Sequence, residues 1–325
     1  MKILIVGGAG YIGSHMVLLL RAQSHDVVVL DDLSSGQADA VPNDCLVTGN
    51  VGDAALLDRL FTGHRFDAVM HFASFIQVGE SVEKPAKYYR NNLVNTIALL
   101  DAMVRHGVAR FVFSSTAAIF GQPEYTPIDE AHPKQPINPY GRSKWMVEQV
   151  LQDYDGAYGL KSVCLRYFNA AGADPEGRIG ENHNPESHLI PLLLQVASGR
   201  RESAQIFGRD YDTHDGTCIR DYIHIVDLCA AHALALRDLS AGGASAAYNL
   251  GNGSGFSVRE VIESVRTVTG KPLHIVDGPR RAGDPARLVA DAMQARRRLG
   301  WTPEYPDLST IVAHAWNWER KVAGV

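Results

Sequence analysis

A glycine-rich turn near the N-terminus constrains this chain more than any other feature. Residues 2–6 predict a β-strand that runs into Gly7-Gly8-Ala9-Gly10-Tyr11-Ile12-Gly13, and a helix is predicted to begin near Ser14. The spaced glycines permit a tight turn and a close approach of the backbone to a pyrophosphate. Amides at the start of the helix would then face that anion. The pattern therefore indicates a dinucleotide-binding loop.

Short β-branched runs alternate with helical patterns through the first half of the chain. Strands are predicted at residues 2–6, 26–30, 45–47, 68–72, 111–114 and 162–166. Helical patterns occupy residues 15–23, 54–61, 87–106, 143–154, 189–198, 226–239, 257–269 and 308–321. Alternation of this kind implies βαβ crossovers and a parallel sheet covered on both faces.

The predicted fold class is therefore α/β, a Rossmann-type doubly wound parallel sheet with a smaller C-terminal α/β substrate domain. A length of 325 residues allows about two domains. Residues 1–169 are predicted to form the dinucleotide-binding Rossmann domain. Residues 170–325 are predicted to form mainly the substrate domain, with some segments returning to the first, because the chain becomes rich in loop-forming residues after residue 169.

Composition excludes several classes of protein. The net charge of −5 provides no positive field for nucleic acid or anionic lipid, and no stretch has the ~20 apolar residues of a membrane span. Four cysteines lie far apart without a C-x-x-C pair, and thirteen histidines include no H-E-x-x-H. We therefore expect no metal site, no disulfide framework, and a reduced, soluble, cytoplasmic protein.

Two acids end the second predicted strand. Asp31 and Asp32 lie about 20 residues past the glycines, where a carboxylate is expected to bind the adenosine ribose. Asp31 would also repel the 2′-phosphate of NADP, so NAD is favoured. The alternative is that both acids merely begin a surface turn.

Tyr140 and Lys144 form the second chemical signal. They are four residues apart, so a helix projects both from one face. A nearby ammonium and a cationic nicotinamide ring would lower the pKa of the phenol, which makes Tyr140 a proton acceptor and donor for a sugar hydroxyl. Thr116, at the end of a predicted strand, can hydrogen-bond both Tyr140 and the substrate. The alternative is a surface tyrosine beside a lysine.

Together these motifs resemble the extended short-chain dehydrogenase/reductase superfamily and, within it, the UDP-glucose 4-epimerase family. The resemblance covers nearly the whole chain, and its segments are residues 7–13, 71–73, 78–81, 88–92, 114–121, 139–144, 165–169, 216–224, 248–251 and 280–284.

The resemblance implies roles for individual residues. Tyr140 is the catalytic base, assisted by Lys144 and Thr116. The residues implied for NAD, besides Tyr140 and Lys144, are Gly7, Gly10, Tyr11, Ile12, Gly13, Asp31, Asp32, Asn50, Val51, Phe72, Ala73, Ser74, Asn91 and Phe168. Those implied for the UDP-sugar, besides Thr116, are Asn169, His188, Leu189, Phe207, Arg220, Tyr222, Arg281, Asp284 and Leu288.

Three positions depart from patterns found in that family. Asn50 stands where many members have an aspartate near adenine, and its carbonyl oxygen could still accept from the exocyclic amine. Ile76 replaces a lysine that some relatives place beside the cofactor. His188 replaces an asparagine, which puts affinity rather than chemistry in question.

The implied reaction is inversion of C4 of UDP-glucose or UDP-galactose through a transient 4-keto sugar. The alternatives are a 4-epimerase of another UDP-sugar (pentose or uronate), a dehydratase, a net oxidoreductase, and a non-catalytic NAD-binding regulatory module. A dehydratase would carry Thr-Asp-Glu where this chain has Thr116-Ala117-Ala118. The pathway, whether galactose metabolism or supply of polysaccharide precursors, stays open.

The resemblance also bears on substrate breadth and assembly. A tyrosine at the position of Leu288 excludes N-acetyl groups in the family, so leucine predicts some turnover of UDP-N-acetylhexosamines. A homodimer is expected through helices such as residues 87–106 and 143–154.

Overall fold

Residues 1–281 and 284–325 are described by a computed structural model; Ala282 and Gly283, within the 280–284 segment, lie outside the described residues. The strands are β1 (Lys2–Val6), β2 (Asp26–Asp31), β3 (Leu46–Thr48), β4 (Ala68–His71), β5 (Arg110–Thr116), β6 (Lys161–Tyr167), β7 (Asn169–Ala171), β8 (Ala204–Phe207), β9 (Ile219–Arg220), β10 (Tyr222–His224), β11 (Ala246–Leu250), β12 (Phe256–Ser257), β13 (Ile275–Gly278) and β14 (Arg287–Leu288).

The helices alternate with these strands. They are α1 (Tyr11–Ala22), α2 (Ala54–Gly63), α3 (Val78–Glu83), α4 (Pro85–Tyr88), α5 (Asn95–Arg105), α6 (Pro139–Tyr158), α7 (Leu189–Ala197), α8 (Ile225–Ser240), α9 (Val258–Thr269), α10 (Met293–Leu299) and α11 (Leu308–Ala323). A π-helical segment, Tyr89–Val94, joins α4 to α5.

One parallel sheet dominates the fold, in the order β11-β6-β5-β4-β1-β2-β3. The chain leaves β1 towards β2 and β3, then crosses back to β4 on the other side. Val6 of β1 pairs with Leu30 on one side and with His71 on the other. The carboxyl ends of β1 and β4 therefore flank a topological switch point, where open α/β sheets bind their ligands.

Alternate residues of β1 enter two separate cores. Ile3 and Ile5 pack with α1 and α8 on one face, whereas Leu4 and Val6 pack with α2, α5 and α6 on the other. All four side chains are buried, as expected for a parallel strand covered on both faces. The predicted doubly wound fold is confirmed.

The second half builds a separate, smaller core. Helices α7, α9 and α11 pack around it, beside the small sheets β10-β7, β12-β9-β14 and β13-β8. Strand β11 returns to the large sheet and pairs in parallel with β6. None of the helices in the described part of the chain is both long and apolar enough to cross a membrane.

The predicted strands and most predicted helices are present, with ends that differ by a few residues. Two helix predictions were wrong in detail. Helix α1 begins at Tyr11 rather than near Ser14, because Gly10 is already extended and serves as the N-cap. The helix predicted over residues 87–106 is divided by the π-helical segment, whose wider turn carries Asn91 and Asn92.

Candidate active site

The glycine loop forms a backbone cradle at the switch point. Gly7 has φ +80°, and a Cβ there would lie 2.3 Å from the Ala73 amide nitrogen, so only glycine fits. Gly10 caps α1 without a side-chain hydrogen bond to the first-turn amides. Those amides are free to receive an anion, which is the requirement for holding a pyrophosphate.

Asp31 ties the end of β2 to this loop. Its carboxylate is buried and accepts hydrogen bonds from the Ala9 and Leu33 amides, each at 2.9 Å. Burial raises the pKa of Asp31, although these two backbone bonds oppose the rise. The neighbouring Asp32 accepts from Asn50 Nδ2 at 2.9 Å, so the asparagine at position 50 makes a direct polar contact with this edge.

A groove runs from these acids along the sheet edge. Six of the residues implied for NAD line it: Asp31, Asp32, Val51, Ala73, Ser74 and Asn91. The lining also includes Leu30, Ser34, Ser35, Gly49 and Phe75, which the sequence analysis did not assign to the cofactor. The two serines could have been found from their place directly after the acidic strand end.

The π-helical segment holds the far wall of the groove. Asn92 is buried and its side-chain amide bonds both the backbone N–H and the carbonyl of Phe75, at 2.9 and 3.0 Å. Asn91 Nδ2 donates to the side-chain oxygen Oδ1 of Asn92 at 3.1 Å. This pair explains how the loop after β4 keeps its shape beside the groove.

Tyr140 lies in the first turn of α6, opposite the end of β5. Asn138 caps this helix by accepting from the Gly141 amide at 2.8 Å, and Pro139 occupies the first turn. The side chain of Thr116, the last residue of β5, lies close enough to the Tyr140 phenol to lower its pKa. A phenol and a hydroxyl are thus paired at the carboxyl edge of the sheet.

Lys144 is buried one turn further along α6. Its Nζ donates to Ser74 Oγ at 2.6 Å and to the Ser114 carbonyl at 2.8 Å. Burial lowers the pKa of Lys144 to about 7, although the Glu148 carboxylate opposes this. An ammonium has three donors, so one is available for a ligand hydroxyl.

The lowered phenol pKa expected from the sequence is not produced by these protein groups. Burial raises the pKa of Tyr140, and the hydrogen bond with Thr116 only opposes that rise. The physical reason is that Lys144 directs its bonds to Ser74 and Ser114 rather than to the phenol. A cationic ligand would have to supply the missing positive charge.

A buried ion pair, missed by the sequence analysis, supports the back of α6. Glu148 accepts two hydrogen bonds from Arg166 Nε and one from Nη2, the last at 2.6 Å, and one from Ser115 Oγ at 2.5 Å. Both charged side chains are at most 5% exposed. The pair joins α6 to β5 and β6 and so fixes Tyr140 and Lys144 relative to the sheet.

The small sheets bring several UDP-sugar candidates together. Arg220 on β9 pairs with Leu288 on β14, and its Nη2 donates to Asp284 at 2.7 Å. Its Nη1 donates to the Ile219 and Pro285 carbonyls. Leu288 packs against the same small apolar cluster as Phe168, which follows β6.

Other candidates for this half take different positions. The Arg281 guanidinium lies 3.9 Å from the centre of the Phe207 ring and covers its face. Asn169 donates through its backbone and side chain to the Asp221 carbonyl.

Two further candidates are packed inside the protein. Tyr222 is 6% exposed and belongs to the C-terminal core, so its side chain does not lie on an open surface. Phe72, which was implied for NAD rather than for the UDP-sugar, packs near His232, with ring centres 5.1 Å apart.

Asp221 itself is a site-building residue that the sequence analysis missed. Its buried carboxylate accepts from the amides of Asn252, Gly253 and Ala290, at 2.6, 3.0 and 3.0 Å. These bonds tie the loop after β11 and the strand region after β14 to β9 and β10. No local sequence motif indicates this role, because the three donors lie 31 to 69 residues from Asp221 along the chain.

His188 and Leu189 begin α7, and His188 lies in a cluster of charges. Its Nδ1 makes a short contact with Glu181, whose carboxylate also meets His183 Nδ1 at 3.0 Å. Glu186 completes the cluster. Burial lowers the pKa of His183, but hydrogen bonds to Glu181 and Glu186 outweigh it and raise the pKa to about 10.

Comparisons with known proteins agree with this geometry. The model of the NAD dependent epimerase/dehydratase family matches residues 3–251. The chain is 55% identical to the UDP-glucose 4-epimerase of Halalkalibacterium halodurans, over 99% of this chain and 96% of that protein.

Two solved structures are similar over almost the entire length. UDP-glucose 4-epimerase from Brucella ovis in complex with NAD is 48% identical, with a TM-score of 0.95 and 97% of each chain covered. The enzyme from Bifidobacterium longum in complex with NAD⁺ and UDP is 38% identical, with a TM-score of 0.93 and coverage of 99% of this chain and 98% of that one.

Proposed function

The chain belongs to the NAD dependent epimerase/dehydratase family, and on that premise we propose that it inverts C4 of a UDP-hexose, interconverting UDP-glucose and UDP-galactose. The reaction uses NAD and passes through a transient 4-keto sugar. The observation that carries this assignment is that Tyr140 and Thr116 come together beside buried Lys144, whose Nζ bonds Ser74 at the edge of a groove suited to a dinucleotide.

The groove has the structural features that binding of NAD requires. The cradle at Gly7 admits no Cβ, and the first-turn amides of α1 have no side-chain cap. Asp31 stands at the end of β2, where it would bind the adenosine ribose and disfavour a 2′-phosphate. When bound, NAD supplies reversible removal of a hydride from C4 and its return to the opposite face.

The protein's own residues handle the proton. Tyr140 accepts the proton of the 4-hydroxyl during oxidation and returns it during reduction, while Thr116 hydrogen-bonds the phenol and orients the hydroxyl. Lys144 would hold the nicotinamide ribose of bound NAD with its remaining donor. Burial raises the pKa of Tyr140, and the positive charge that oxidised NAD would bring to the site would oppose that rise.

Inversion also requires tight binding of UDP and weak binding of the hexose, because the 4-keto sugar must turn and present its opposite face to the cofactor. Arg220, Arg281 and His188 provide positive or hydrogen-bonding groups for the diphosphate, with Asp284 orienting Arg220. Residues 1–169 then carry NAD and residues 170–325 mainly carry the UDP-sugar, with β11 returning to the sheet.

The decisive experiment is incubation of purified protein with UDP-galactose, with products separated by anion-exchange chromatography. We expect UDP-glucose to accumulate to equilibrium without net NADH. Accumulation of NADH would indicate an oxidoreductase, and turnover of only a UDP-pentose or UDP-uronate would indicate a different 4-epimerase. No turnover of any UDP-sugar, with NAD bound, would favour a regulatory module.

Three finer properties belong to the same proposal. Leu288 leaves room for an N-acetyl group, so the enzyme also accepts UDP-N-acetylhexosamines. It forms a homodimer through α5, α6 and neighbouring helices, where Val94 and Met146 are exposed. It works in the cytoplasm, in agreement with four buried cysteines that form no disulfide.

A further inference from the structure

Four side chains of the types that can bind metals converge in the loop that leads from β7 to α7. The ligand atoms of Glu181, His183, Glu186 and His188 all lie within 4.8 Å of one another. We propose that these four residues, named here the Glu-His cluster, bind one zinc ion.

The burial of the two carboxylates is the first reason. Glu181 and Glu186 are each 5% exposed, and buried carboxylates require compensating positive charge. Within residues 1–281 and 284–325, neither forms an ion pair with a lysine or arginine; their only ion-pair partners there are His183 and His188. The cluster therefore needs either two ring protons or one divalent cation.

The distances favour a shared cation. His183 Nδ1 lies 3.0 Å from Glu181 Oε1 and 3.9 Å from Glu186 Oε2, and His188 Nδ1 lies 3.9 Å from Glu186 Oε1. Ligand atoms about 2.0–2.1 Å from a tetrahedral zinc ion are separated by about 3.3 Å. Both histidines present the same ring nitrogen towards both carboxylates, which two separate hydrogen bonds would not require.

The chemistry of the donor set selects zinc. Two imidazoles and two carboxylates form a closed, four-coordinate set of the kind that zinc accepts, whereas calcium and magnesium prefer oxygen ligands alone. Outer contacts hold two of the ligands in place. Glu186 Oε1 accepts from the amides of Ser187 and His188, at 2.7 and 2.9 Å, and Trp318 donates to the Glu181 carbonyl at 2.9 Å.

The site would connect the two ligand-binding regions. The Tyr11 ring in the glycine loop lies edge-on to His183, with centres 6.3 Å apart, and Tyr11 donates to the Gly172 carbonyl at 2.7 Å. A zinc ion on His188 Nδ1 leaves its Nε2–H as a donor. On the proposed function, that donor would serve the diphosphate, so zinc would orient a substrate-binding residue.

The test measures zinc independently of sugar turnover. Purified NAD-loaded protein is incubated with ZnCl₂, gel-filtered and assayed for zinc by mass spectrometry; chelator-treated protein is titrated with ZnCl₂ by calorimetry. We expect one zinc per chain. His183→Ala and Glu186→Gln should each weaken zinc binding at least ~10-fold. His106→Ala is the matched control, because among the described residues His106 contacts one carboxylate, that of Asp58, at 3.1 Å.

Two results would overturn the proposal: no zinc on the wild-type protein after incubation, or equal zinc on the wild type and both cluster variants. If a variant does not fold, anomalous diffraction at the zinc edge from wild-type crystals decides, since a peak away from the four residues contradicts the assignment. Failure of epimerisation leaves these readouts unchanged, so the two proposals fail separately. A raised KM for UDP-galactose in Glu186→Gln would further support the orientation of His188.

Discussion

The nucleotide side and the UDP-sugar side of the molecule build their sites by different means. On the nucleotide side, Asp31 and Thr116 end strands of one parallel sheet, and Tyr140 begins a helix packed on it. On the other side, Arg220 reaches Asp284 across 64 residues, and Asp221 gathers amides from two distant loops. The first region is held by a continuous sheet, and the second by side-chain contacts between short elements.

This contrast suits the reaction. Proton and hydride movement requires fixed distances, which strand ends buried in two cores provide. Binding of UDP requires charge and hydrogen bonds, while the hexose must remain free to turn. We therefore expect substitutions on the nucleotide side to affect kcat and those on the UDP side to affect KM.

The largest effect is expected from Tyr140→Phe, which removes the proton acceptor. Loss of general acid–base catalysis should lower kcat about 1000-fold. Bound NAD and the affinity for UDP should be unchanged when measured by absorbance and calorimetry. Tyr158→Phe is the matched control, because that phenol lies on the same helix and is 60% exposed. Full activity of the Tyr140 variant would contradict the mechanism.

Arg220→Gln tests the UDP side of the comparison. The variant loses the ion pair with Asp284 and a cation for the diphosphate. KM for UDP-galactose should rise about 30-fold, which corresponds to about 2 kcal/mol, with kcat changed much less. Steady-state kinetics provide the measurement, with Arg287→Gln, on the adjacent strand and exposed, as the control. A fall in kcat without a rise in KM would contradict the proposal that the UDP side determines KM and the nucleotide side determines kcat.

Leu288→Tyr should change selectivity rather than rate. The larger side chain would narrow the sugar pocket, and turnover of UDP-N-acetylgalactosamine relative to UDP-galactose should fall about 10-fold. Competition between the two substrates in one reaction measures the ratio directly. An unchanged ratio, or a wild-type enzyme that converts only unsubstituted hexoses, would show that Leu288 does not set substrate breadth.

The last prediction concerns the acid stability of the sheet region rather than activity. Burial lowers the pKa of His71 to about 3, whereas an unfolded histidine titrates near 6.5. Between these values the unfolded chain binds more protons, so the free energy of unfolding falls as pH falls, by at most about 1.4 kcal/mol per pH unit. His71→Gln should flatten this slope in urea unfolding from pH 6.5 to 4.5. His214→Gln, whose side chain is 54% exposed, should not.

Much of the nucleotide side could be predicted from the sequence because its signals are local. The glycine loop, the acids at the end of β2, and the four-residue spacing of Tyr140 and Lys144 are each read from a few adjacent residues. The direction of the Tyr140 pKa could not be read this way. It depends on how the folded chain buries the phenol and on the approach of Thr116, which belongs to another element of the fold.

The sequence by itself determined the period of the strands and helices, the phosphate loop and the residue types at the reacting centre, since backbone propensity and hydrophobic spacing act over short distances. Only the tertiary structure decided which distant groups meet: Arg166 with Glu148, Arg220 with Asp284, and Asp221 with its three amides. Such contacts depend on how separate elements pack, and a short sequence pattern holds no record of that packing.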